Sequence, residues 1–70
     1  MVVSYKRLWK MLIDKDMKKK DLASAAGISQ SSIAKMSRGE TISLEVILKI
    51  CSALKCDISD VVEAVPAKED

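Results

Sequence analysis

Apolar side chains recur at spacings of three and four along most of this sequence, and β-branched residues alternate over no long stretch. That periodicity belongs to helices that bury one face. No Asn-Gly or Asp-Gly pair is present to turn a hairpin. The pattern is broken by Gly27, by Gly39 and by short polar residues suited to capping helices. With 70 residues, the chain lies near the lower size limit for independent folding. We therefore expect an all-α fold: one domain over 1–70 made of five short helices.

The first helix is expected to start after Ser4 as N-cap, burying Tyr5, Leu8, Trp9, Leu12 and Ile13. Met17 then anchors the connection. The second runs from about Lys18 to Ala26, with Leu22, Ala23 and Ala26 inward and Gly27 as its stop. The third is capped by Ser29 and ends at Ser37, with Ile33 and Met36 inward and Gly39 beyond it. The fourth opens at Ser43 and carries Leu44, Ile47, Leu48, Cys51 and Leu54 on one stripe. Asp57 caps the fifth, which holds Ile58, Val61 and Val62 and stops at Pro66. The tail from Ala67 to Asp70 is expected to fray.

Counting excludes several chemistries. The chain has no His, the commonest general base and metal ligand. Cys51 and Cys56 are five apart and too few for a tetrahedral zinc site, so both read as small hydrophobes. The methionines Met11, Met17 and Met36 read as gap-filling apolar residues. Two glycines make no phosphate-cradling loop. No catalysis, metal, cofactor or small-molecule effector is expected. No apolar run approaches the ~20 residues that span a bilayer. Met1-Val2-Val3 leads straight into Ser4, Tyr5, Lys6 and Arg7, unlike a secretory leader. The expected location is cytoplasmic.

The net charge of +2 conceals an asymmetry. Residues 1–39 carry nine Lys/Arg against three Asp, whereas 40–70 carry three Lys against seven acids. A basic half and an acidic half point to one face that meets a polyanion. Between about 18 and 37, two helices are joined by Ala25-Ala26-Gly27-Ile28-Ser29. Glycine, a buried apolar residue and a cap within three positions let those helices cross steeply over small alanines, as in a helix-turn-helix. The second helix turns short hydrogen-bonding side chains outward, which suits base edges in a major groove.

From Leu8 to Glu63 the sequence resembles the lambda repressor-like, Cro/cI (XRE) family of bacterial and phage DNA-binding domains. The resemblance is carried by Leu22-Ala23, Gly27-Ile28-Ser29, Ile33, Arg38-Gly39-Glu40, Ser43-Leu44 and the segment from Leu54 to Val62. It covers about four-fifths of the chain. Leu8-Trp9-Lys10 and Ile13 to Lys19 are similar to a subgroup of small stand-alone regulators, common in Gram-positive bacteria and mobile elements. The resemblance implies a five-helix domain that binds double-stranded DNA and regulates transcription. It assigns base contacts to Gln30, Ser31 and Lys35, and phosphate contacts to Lys18, Lys19, Ser29, Arg38 and Thr41.

This sequence departs from the family at the start of the second helix, where Lys18 and Lys19 replace a Ser/Thr cap and a Gln. Without a capping side chain that start is expected to fray. The family's Arg–Glu pair between the first and third helices is replaced by Leu12 and Ser37, which leaves the recognition helix to be positioned by packing. A module this small is expected to act as a homodimer. The expected dimer face is the fifth helix with Val61, Val62 and Val65, with Trp9 of the first helix as the second choice. The function expected is repression by sequence-specific binding. The alternative is an antitoxin-like or adaptor module that uses the same fold toward a protein.

Overall fold

The computed structural model describes residues 1–67. Among them run, in order, β1 (Val2–Ser4), α1 (Lys6–Asp14), α2 (Lys19–Ala26), α3 (Gln30–Ser37), α4 (Leu44–Leu54), α5 (Ile58–Val61) and β2 (Glu63–Val65). The five helices fall where the apolar spacing puts them. Each contributes one fully enclosed side chain to the same centre: Leu8, Leu22, Met36, Ile50 and Val61. Tyr5, Leu12, Ala23, Ile33, Ile47 and Leu54 complete the buried core. Helix α2 packs on both α3 and α4, while α5 bridges α4 and α1.

Helices α1 to α4 all end the same way. One residue adopts a left-handed backbone: Asp16 (φ 57°), Gly27 (φ 68°), Gly39 (φ 77°) and Lys55 (φ 53°). The next amide reaches back five residues to a helix carbonyl. These bonds run from Met17 to Leu12 (2.8 Å), Ile28 to Ala23 (3.0 Å), Glu40 to Lys35 (2.9 Å) and Cys56 to Cys51 (3.1 Å). This closure satisfies carbonyls a helix end would otherwise leave open, and it sets the side chains of the bonded residues together. Met17, Ile28, Cys51 and Cys56 accordingly pack against the core.

Ser29, Ser43 and Asp57 cap α3, α4 and α5 as their positions require, accepting from the amides of Ser32, Val46 and Ile58. Ser4 does not cap α1. It lies in β1, Tyr5 takes the cap position, and Ser4 Oγ accepts only a long 3.4 Å bond from the Lys6 amide.

The periodicity gave no sign of the strands. Val2, Val3 and Ser4 pair antiparallel with Val65, Ala64 and Glu63. Three residues are too few to establish an alternation, and the pairing joins segments about 60 apart in sequence. The chain after α5 therefore continues as β2 before Pro66, with Val62 extended rather than helical. Arg7 Nε meets Glu63 Oε2 at 3.4 Å beside the ribbon.

Five apolar assignments are corrected. Ile13, Leu44 and Leu48 are 77%, 59% and 51% exposed, because the arcs of α1 and α4 are wider than the surfaces their neighbours cover. Ile50, absent from the expected stripe, fills the centre instead. Val61 is fully buried and so is withdrawn from the expected dimer face, where Val62 and Val65 remain half-buried. Of the tail, residues 68–70 lie outside the described residues. Among the described residues, no helix is long and apolar enough to cross a membrane, and no His/Cys/Asp/Glu cluster could hold a metal ion.

Candidate nucleic-acid interface

The site is built on the α2–turn–α3 unit. Helix α2 starts with lysines at its electropositive end, an unfavourable arrangement that Asp21 offsets. The Asp21 carboxylate accepts the Lys18 amide at 2.9 Å. This reach-back bond holds the helix start that the missing cap was expected to leave frayed. At the far end, Gly27 turns the chain with a positive φ that a side chain would strain. Ile28 packs inward, and Ser29 Oγ takes the Ser32 amide at 3.2 Å to begin α3.

Buried Ile33 and Met36 seat α3 on the core. The opposite face presents Gln30, Ser31, Ala34 and Lys35, all exposed. Their register (i, i+1, i+4, i+5) makes one continuous ridge, and α3 contains no acidic residue. Ala34 was not singled out by the sequence, since a lone alanine carries no signal. Its spacing of four from Gln30 would have found it. Beside the ridge, Ser32, Lys35, Thr41, Ile42, Ser43 and Val46 line a concavity of about 460 Å³. It joins α3 to the loop that leads into α4, so Lys35 and Thr41 line the same concavity.

The residues assigned to phosphate lie at the start of α2, at the cap of α3 and in the loop after it. Lys18, Lys19, Ser29, Arg38 and Thr41 are all exposed. Ser29 Oγ lies 3.2 Å from Ser32 Oγ as well as capping the helix. Two of the cations are engaged as well. The Arg38 guanidinium pairs with the Glu40 carboxylate. The Lys19 ammonium sits 4.4 Å from the centre of the Trp9 ring and donates to Ser37 Oγ at 2.9 Å. Packing is therefore joined by a polar tie between α2 and the end of α3. Sequence reasoning missed that tie, because Lys19 and Ser37 are 18 apart.

The loop between α3 and α4 is fastened from below. The Tyr5 hydroxyl donates to the Glu40 carbonyl at 2.7 Å, across a separation of 35 residues. Burial raises the Tyr5 phenol above its ordinary pKa, against an opposing pull from the Ile42 backbone. The phenol thus stays protonated as a donor at neutral pH. The two thiols stand apart from the ridge, at the α4–α5 junction. Burial pushes the Cys56 thiol up, and the adjacent Cys51 thiol adds to the shift.

Comparison with known proteins agrees with this geometry. A family model described as a Cro/C1-type HTH DNA-binding domain matches residues 7–67. A crystal structure of the transcriptional regulator VanUg is similar at 52% identity with a TM-score of 0.89. That likeness covers 94% of this chain and 88% of the VanUg chain. No curated protein matches. The matched span takes in the whole of the α2–turn–α3 unit, the loop beyond it and the helices that hold it, and the chain belongs to the Cro/C1-type helix-turn-helix DNA-binding domain family.

Proposed function

We propose that this protein is a sequence-specific transcriptional regulator, a repressor, that acts by binding double-stranded DNA as a homodimer without catalysis. Helix α3 enters the major groove. Gln30 reads adenine through its amide, and Ser31 and Lys35 meet neighbouring base edges. The exposed Ala34 methyl suits contact with a thymine methyl. Lys18, Lys19, Ser29, Arg38 and Thr41 hold phosphates and set the register of α3. The observation that carries this reading is the exposed ridge of Gln30, Ser31, Ala34 and Lys35, free of carboxylates. The likeness to a transcriptional regulator supports it. Two copies supply the surface that one small module lacks. Val62 just after α5 with Val65 on β2, or Trp9 on α1, are the surfaces proposed to join them.

The test is selection of bound sites from a randomised duplex pool, followed by affinity measurements on the selected and a scrambled duplex. Gln30→Ala should reduce discrimination between the two by about tenfold or more, equivalent to roughly 1–3 kcal/mol. Equal loss on both duplexes would remove Gln30 from base reading. Failure to enrich any site, together with capture of a protein partner through Gln30, Ser31 and Lys35, would favour the antitoxin-like or adaptor reading.

A further inference from the structure

The Lys19 ammonium touches three helices at once. It is carried by the first residue of α2, lies over the face of Trp9 on α1, and donates to Ser37, the last residue of α3. A lysine on an open surface samples many rotamers, and binding an anion must first restrict them. Here the ring quadrupole and one hydrogen bond already restrict the side chain. An ammonium has three donors. Ser37 takes one of them, and Lys19 remains exposed, so a donor is open to solvent next to the recognition helix.

We propose that Trp9 and Ser37 are positioning residues that hold the Lys19 ammonium ready to receive a DNA phosphate. The proposal rests on the DNA-binding reading above. It gives Ser37 a role in affinity although its hydroxyl carries no charge, and it assigns Trp9 to the site rather than to a dimer contact. It also makes α3 and the phosphate donor one unit, so the ridge and its backbone anchor are set at a fixed spacing.

The experiment is a mutant cycle on binding of a labelled 20-base-pair duplex of random sequence, measured at several salt concentrations. Random sequence isolates backbone contact from base reading. Ser37 is exposed, so Ser37→Ala leaves the core intact. Lys19→Met should weaken binding and lower the salt slope by about one. Ser37→Ala should weaken binding by about two- to tenfold. The same change should have no effect in a chain already carrying Lys19→Met. Ser37→Thr, which keeps the hydroxyl, should restore the affinity. Trp9 is the only tryptophan, so its emission in the DNA-free chain should shift when Lys19→Met removes the ammonium. No loss from Ser37→Ala, or an equal loss with and without Lys19, overturns the proposal. Wild-type chain that does not bind the duplex at low salt overturns the DNA-binding reading itself.

Discussion

At Glu40 two parts of the candidate interface converge. Its carboxylate neutralises Arg38 and its carbonyl accepts the Tyr5 phenol. A phosphate that approaches Arg38 must compete with that carboxylate. Glu40→Gln removes the competitor and keeps the backbone bond, so it should tighten binding of random duplex DNA severalfold at low salt, as read by fluorescence anisotropy. Tyr5→Phe keeps the ring in the core and deletes the bond. It should lower unfolding stability in urea by about 1 kcal/mol with the helical circular dichroism retained. That Gln30, Ser31 and Lys35 lie exposed on α3 was legible, because a helix fixes register relative to a glycine turn. It left the partners of Arg38, Tyr5 and Lys19 hidden. Those depend on where a loop or a long side chain ends, and no periodicity encodes that.

At the scale of elements, the recurrent feature is the left-handed residue that closes α1 to α4. Two of those positions were readable, since glycine names them. Asp16 and Lys55 were not, because each adopts there a conformation that costs an L-residue roughly 1 kcal/mol or more. The signal lay one residue later, in Met17 and Cys56, apolar side chains that the closure folds back onto the helix. Lys55→Gly should therefore stabilise the chain by about 0.5–1 kcal/mol in chemical unfolding. Gly27→Ala should do the reverse by about 1 kcal/mol. No heavy atom lies within 4 Å of a Cβ added at Gly27, so that loss measures backbone strain alone. The exposed Ile13, Leu44 and Leu48 teach a related lesson. Spacing finds the apolar arc of a helix, but the width covered depends on neighbours that spacing does not specify.

For the whole molecule, pH acts through the Tyr5 phenol and the Cys56 thiol, both raised in the folded chain. Each is neutral when protonated, and folding favours that form. Their contribution is intact below the ordinary thiol range, near pH 8.5, and declines as pH rises through the raised values. Thermal midpoints should fall between about pH 9 and 11. A chain carrying Tyr5→Phe and Cys56→Ala should show a flatter decline. Most of the helical architecture was legible because four of the five fully buried side chains, all but Ile50, belong to apolar stripes local to their own helices. The β1–β2 ribbon was not, because neither strand has a pattern without the other. That ribbon also fixes how the molecule bears load. Val2 lies opposite Val65 and Ser4 opposite Glu63, so traction applied at residues 1 and 67 opens the ladder rung by rung instead of shearing it. The chain should yield mechanically from its ends inward, at modest force, before the helices feel tension.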